Sequence, residues 1–511
     1  MQLRFQLPAT VDTVPLTDQH VGPLGGHEPI PPADPHDPLA RLHVRDRLAD
    51  RPTLVPRERW SFTGDARLRV DGGLEAGRIY DLVYRVEERP VVGAGLLAAR
   101  DLGAFLRSDR SQNPIASWVD RLIITGISQN SRFLRTMLHL GLDVDERGDP
   151  AFDGVLGIVG GGRRGEFNHR YAQPSVQPTP GFGHLFPFAD LAQTDPRTGR
   201  RAGLLDRVAA RPEPPKVVFC DSSAEYWRGD ASLAHTSVTD GSDVADAPFV
   251  RRYLFAGTQH GPGPVEVETR TLQGSRGRNP LNLVDYRPLY RCALVNLVAW
   301  VVDGVEPPRS EVPRWSDGTA ATRADVLAEL GAIPGLSVAD ADELPVLRPV
   351  DLGPDADRGV GSYPAEPFGE VYPSAVSSVD EDGNERAGIA MPDVAVPIAT
   401  HLGFNPRHEE LGGPGQIIEY FGSTVRFPHS AEERESTGDP RRSIAERYVD
   451  VDDYLDRVRD AAHRLVDERH LLADDVELCV GLARARYRLL TEIDTLCWPD
   501  SDDRGSDDRQ V

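Results

Sequence analysis

The chain has 511 residues, and its 80 acidic side chains outnumber 57 basic ones for a formal charge of −23. That length allows a sizeable core and one large or two to three ordinary domains. Lys216 is the only lysine, and so acidic and lysine-poor a chain reads as adapted to high salt, where repulsion between carboxylates is screened. No basic stripe with interleaved aromatics is present, which argues against a nucleic-acid partner. Cys220, Cys292, Cys479 and Cys497 lie far apart without a CxxC pair, which argues against a zinc site or a disulfide framework. The start, MQLRFQLPAT, lacks a charged head followed by an apolar core, and apolar runs such as 293–302 are too short to cross a bilayer. A cytoplasmic protein without a membrane partner is expected.

Residues 1–59 carry little pattern. Alternation over 1–7 gives a short strand, and 27–38 is a proline-rich loop. His27, His36 and His43 have no carboxylates at ligand spacing and read as surface residues, so no metal is expected. From Trp60 the pattern sharpens: 67–70 alternate, Asp71-Gly72-Gly73 is a turn, and 78–86 (RIYDLVYRV) is a strand. Residues 91–97 (VVGAGLL) form a glycine loop leading into a helix over 98–107. This loop lacks the third glycine and the acidic follower of a phosphate-binding fingerprint. It is suited instead to offer a backbone N–H to an oxyanion.

The stretch 121–134, RLIITGISQNSRFL, organises the rest. Residues 122–125 are an apolar, β-branched run of the kind a buried strand uses. Gly126 opens a turn, and Phe133, Leu134, Met137, Leu138 and Leu140 stand at helical spacing after it. Strand, tight turn with Ser128 at its apex, then helix is the geometry of a nucleophile elbow, G-x-S-x-G. The second glycine is Asn130 here, a residue that tolerates tight backbone conformations. The backbone N–H of Gln129, at the start of the helix, is the expected oxyanion donor.

Three further strands follow. Residues 152–162 form one, ending in glycines and followed by a long polar and aromatic loop over 163–188 that should line or cover a site. Glu166 and His169 in it read as structural or pocket-lining. Residues 214–220 are the next strand, followed by Asp221 and Glu225, and 252–256 the last, followed by His260 in a glycine-rich turn. A carboxylate after a strand is often only a helix cap, and a lone turn histidine only a surface group. Strand ends nevertheless deliver a serine, a carboxylate and a histidine in the chain order of an α/β-hydrolase triad, from what reads as a mainly parallel sheet flanked by helices. Ser128 is then the nucleophile, His260 the base and Glu225 the acid, with Asp221 the alternative acid because it ends the strand itself.

Beyond His260, residues 282–302 include an apolar helix, 307–317 a linker, 318–330 a short helix and 340–360 an acidic loop. Residues 372–391 read as a hairpin turning at Asp382-Gly383, and 394–403 as an apolar segment packing back on the core. Two amphipathic helices follow, one striped by Tyr454, Leu455, Val458, Ala462, Leu465 and Val466, the other by Val476, Cys479, Val480, Ala483, Tyr487 and Leu490. Asp474 and Glu477 suit a capping box. The tail from 499 is acidic and polar enough to be disordered.

The strings GISQNSRFLRTMLHLGLDVDERGDPAFDGV, RRGEFNHRYAQPS, AEYWRGDASLAHT, FAGTQHGPG and AGIAMPDVAVPIATHLGFN together resemble the α/β-hydrolase-domain proteins of a large, poorly characterised family, in a haloarchaeal type of chain. The resemblance covers roughly residues 60–490. It implies an α/β-hydrolase fold with Ser128 as nucleophile and His260 as base. Family members usually carry an amide where Asp221 stands, which favours Glu225 as the acid, and glycine where Ser131 stands. No substrate is implied.

The expected organisation is an N-terminal segment over 1–59, a catalytic core over 60–310, a hairpin-plus-helix extension packing on it over 311–495, and a tail over 496–511. The expected activity is hydrolysis of a carboxylic ester, or a related acyl bond, of a small molecule through an acyl-enzyme, with no cofactor. Acyl transfer to an alcohol at the same site, and a non-catalytic binding protein on a hydrolase fold, are the rival readings.

Overall fold

A computed structural model describes residues 1–17, 28–64, 66–87, 91–92, 94–167, 169–170, 179–264, 266–271 and 274–492. His27, the side chain of His169, and the tail with Cys497 lie outside the described residues.

The first part is built of antiparallel strands. β1 (Gln2–Gln6), β3 (Arg41–Arg45), β4 (Thr53–Val55) and β7 (Ile79–Val83) form one sheet in the order β1-β7-β3-β4. β2 (Val11–Pro15), β5 (Trp60–Thr63) and β6 (Arg67–Leu74) form a second, in the order β2-β6-β5. Leu3 and Phe5 of β1, Leu42 of β3, Trp60 and Phe62 of β5, Leu68 and Val70 of β6, and Tyr80 and Leu82 of β7 meet in one apolar cluster. Strands from both sides of residue 59 therefore share a core, and the apparently patternless opening contributes four of them. On the other face of the first sheet, Asp81 pairs with both Arg4 and Arg45.

The centre is a four-stranded parallel sheet of β8 (Ile123–Ile127), β9 (Gly154–Ile158), β10 (Lys216–Ser222) and β11 (Val250–Phe255), ordered β11-β10-β9-β8. Its period-2 alternation sorts side chains onto two faces. Val155, Val217 and Phe219 join Leu134, Met137 and Leu138 of helix α2 (Gln129–Leu140) on one side. Leu156, Ile158, Val218 and Cys220 meet Leu289, Ala293, Leu297 and Trp300 of a helix spanning Arg287–Asp303 on the other. A parallel sheet with helices on both faces is the expected architecture. β8 differs from the buried strand its apolar run predicts: it is an edge strand, with Thr125 and Ile127 exposed. Composition reports a fit to a pleated surface and leaves open how many neighbours a strand has.

The chain after the sheet mixes hairpins and helices. Ala399–Leu402 pairs with Ser423–Arg426, and helices Val451–Asp467 and Val476–Thr491 pack through the two predicted stripes. The turn at Asp382-Gly383 forms, closed by a bridge between Val379 and Glu385, but Val376–Ser377 pairs with Ala320–Ala321 and not along a longer hairpin. The expected capping box of Asp474 and Glu477 does not form: Ala473–Asp475 is a 3₁₀ turn that runs into the helix, so Asp474 is not its N-cap, and Glu477 pairs with Arg459 instead.

Two close approaches fix the elbow. A Cβ on Gly126 would lie 2.6 Å from the backbone of Asn130, so the helix can descend onto β8 only over glycine. Asn130 itself is exposed, which explains why the motif tolerates it there. A Cβ on Gly160 would lie 2.4 Å from Oγ of the buried Ser131. Gly160→Ala should accordingly cost about 1–3 kcal/mol by overpacking, read from the urea midpoint, and Ser131→Gly in the same chain should restore most of it. Equal midpoints for Gly160→Ala and the native chain would refute this account of the contact.

Candidate active site

The turn from β8 into α2 places Ser128 at φ 57° and ψ −117°, a left-handed conformation that side-chain-bearing residues rarely adopt. Its amide donates to the carbonyl of Ile158 at the end of β9 (2.8 Å), and the next residue, Val159, also has a positive φ of 48°. The strain is thus concentrated where two strand ends meet. Gln129 opens α2, so its amide is among the first-turn donors without an intrahelical acceptor.

β10 ends in Ser222, and a short helix, Ser223–Trp227, starts there with a capping box. Oε2 of Glu225 accepts from the amide of Ser222 (2.9 Å) and from its hydroxyl (2.6 Å). Its other oxygen, Oε1, lies 2.6 Å from Nδ1 of His260. Nε2 of His260 lies 2.9 Å from Oγ of Ser128. The three predicted residues therefore form one hydrogen-bonded chain, with Glu225 fully buried at its far end. Burial works to raise the Glu225 carboxyl, but the His260 imidazole, Arg228 and the Ser222 hydroxyl outweigh it and hold the carboxyl below its usual value. Asp221, the alternative acid, accepts from the amide of Gly161 (2.8 Å), and burial with the nearby Glu225 charge pushes it up to about 6.

The histidine loop is held from several sides. The His260 amide donates to Tyr420 (3.0 Å), whose ring packs on the imidazole at 4.4 Å, and the Tyr286 hydroxyl donates to the His260 carbonyl. Glu385 links this loop to the acid's helix, accepting from the Gly257 amide (2.7 Å) and the Ser223 hydroxyl (2.5 Å). Its burial, only partly offset by these two bonds, raises it from 4.5 to about 7. Because the folded value lies above the unfolded one, its contribution favours folding at acid pH and is lost as pH rises from about 4.5 through 7. Glu385→Gln should consequently flatten the fall of melting temperature with pH across that window. An unchanged slope would show that Glu385 ionises freely in the folded protein.

Ser128 and His260 open into a cavity of about 710 Å³. Its walls come from the first β-sheet (Arg4, Gln6, Arg45), from the loop after β9 (Arg163, Pro180, His184), and from the late chain (residues 345–348 and 416–421). The loop over 163–188 thus lines the site in its described parts, as predicted, whereas Glu166 binds the Phe182 amide and is structural. The glycine loop over 91–97 runs into the first helix, α1 (Gly95–Leu106), and Gly93 lies outside the described residues. Residues 416–421 carry no sequence signal for a site and only the folded chain brings them here, whereas Arg132 stands one helical turn after Ser128. Among the described residues, no three His, Cys, Asp or Glu side chains are placed to hold a metal ion, and no helix is long and apolar enough to cross a membrane.

A family model described as an alpha/beta hydrolase domain matches residues 78–480, well over half of the chain. The chain belongs to the α/β-hydrolase domain family. The match spans the sheet and most of the hairpin-and-helix segment that follows it. Comparison of this α/β-hydrolase-domain chain with curated proteins, and with solved structures, returned no match.

Proposed function

We propose that the protein is a serine hydrolase that cleaves a carboxylic ester, or a related acyl bond, of a small molecule. The observation that carries this reading is the chain Ser128 Oγ–His260 Nε2 (2.9 Å) and His260 Nδ1–Glu225 Oε1 (2.6 Å), with the serine at a strained strand-to-helix turn in a cavity wall.

In the proposed mechanism Nε2 of His260 takes the Ser128 proton as Oγ attacks the ester carbonyl. Glu225 fixes the imidazole with Nδ1 protonated and stabilises the imidazolium that forms, an ion pair favoured by the depressed carboxyl. The Gln129 amide, at the positive end of α2, holds the developing oxyanion, a contact worth about 3 kcal/mol. Collapse expels the alcohol, which takes the proton from His260, and water deacylates the serine by the same proton path. An acidic chain with a single lysine suits a high-salt milieu, so the assay belongs in concentrated salt. The test is labelling by a fluorophosphonate probe: the native protein should be modified and Ser128→Ala should not. A folded native protein that resists the probe would overturn the reading.

A further inference from the structure

The cavity is lined by seven arginines and three carboxylates, in a chain whose net charge is −23. Two of the guanidiniums beside the serine are paired, Arg163 and Arg228 both contacting Asp230 at 3.3 and 2.8 Å. Glu419 faces Arg228, Arg163 and Arg407 before it faces Arg132. Arg132 stands apart. It lies in the first turn of α2, four residues after Ser128, is 5% exposed and lines the same cavity. Among the described residues its guanidinium has neither a hydrogen bond nor an ion pair. Burial, with Arg163 and Arg228 nearby, pulls it down to about 10 although Tyr420 and Asp230 work the other way, so it is charged at neutral pH. Its nitrogens are not among the enclosed side-chain atoms that lack a hydrogen bond, so they open to the cavity. A guanidinium walled in by protein on its other sides takes its partner from what the cavity holds, and an anionic ligand group serves it better than water.

We propose that Arg132 binds a carboxylate carried by the substrate, so that the hydrolysed ester is a half-ester of a dicarboxylic acid. One unpartnered guanidinium matches a monoanion in charge, and its planar fork matches a carboxylate in shape. The carboxylate takes no part in bond making. It anchors the substrate with its ester at Ser128. The neutral product alcohol leaves, while the dicarboxylate formed on deacylation is repelled by the acidic exterior only after it has left the arginine.

This assignment rests on the serine-hydrolase reading, and two measurements separate them. The first compares 4-nitrophenyl hydrogen glutarate with its methyl-capped ester. The native protein should prefer the free acid by about 10- to 100-fold in kcat/KM. Arg132→Gln should abolish that preference, and Arg132→Lys should recover part of it. No preference in the native protein, or an equal loss on both esters in Arg132→Gln, would overturn the assignment in favour of a structural or oxyanion role. The second is calorimetric binding of monomethyl glutarate to Ser128→Ala, which needs no turnover. Binding that disappears when Arg132→Gln is added supports the carboxylate site even if neither ester is hydrolysed, an outcome that would remove only the hydrolase reading. Absence of binding would overturn the site. Without ligand, Arg132→Met should melt higher than the native protein, since it removes an unpaired buried charge. A lower melting temperature would assign Arg132 to the scaffold.

Discussion

On the proposed serine-hydrolase mechanism, Ser128→Ala protein should turn over an activated ester on the order of 10⁶-fold more slowly than the native protein, the loss expected when such a nucleophile is removed. His260→Ala alone should cost a similar factor, and the double variant little more, because the two groups act in one step. The geometry supports this directly, with Oγ 2.9 Å from Nε2 and no other hydroxyl hydrogen-bonded to that nitrogen among the described residues. Alanine at 128 removes the hydroxyl and keeps the left-handed backbone, so the fold should survive. A residual rate within about tenfold of the native one would mean that another group carries the chemistry.

Glu225→Gln should lower kcat by about 10⁴-fold, the size of loss expected when the acid of such a triad becomes an amide and the histidine takes the wrong tautomer. Gln at 225 still offers an oxygen to the Ser222 amide, so the helix cap is kept while the charge opposite His260 is lost. Asp221→Asn should leave kcat within about tenfold, because the Asp221 carboxylate binds Gly161 and not the imidazole. Measured side by side on one ester, the two variants identify the acid. If Asp221→Asn proves the more damaging, Glu225 is a helix cap and nothing more.

Much of this arrangement is legible before folding, for physical reasons that differ by element. α2 shows itself because Phe133, Leu134, Met137 and Leu138 repeat at helical spacing, and β9, β10 and β11 because short apolar runs end in turn residues. Glu225 lies three residues after Ser222, the spacing of a capping box, so a purely local signal marks the residue that also meets His260. The N-terminal strands are harder to see. β3 reads RLHVR, with only Leu42 fully inside the core and charged residues on the face toward Asp81, so its alternation is faint. Tyr420 and Arg132 are silent in sequence, since neither spacing nor local chemistry distinguishes them from other tyrosines and arginines. The placement of Tyr420 depends on a contact across more than a hundred residues, its ring on His260, whereas Arg132 is placed by the first turn of α2 but shows no local sign of what it faces.

The side-chain amide of Gln6 donates to that of Gln416 (2.6 Å), joining the first strand of the chain to a segment 410 residues later, and both side chains border the cavity. During synthesis the wall that carries Gln6 is therefore made some 410 residues before its counterpart at Gln416. Ser128, Glu225 and His260 all precede that counterpart. The order of translation thus separates making the reactive groups from enclosing them.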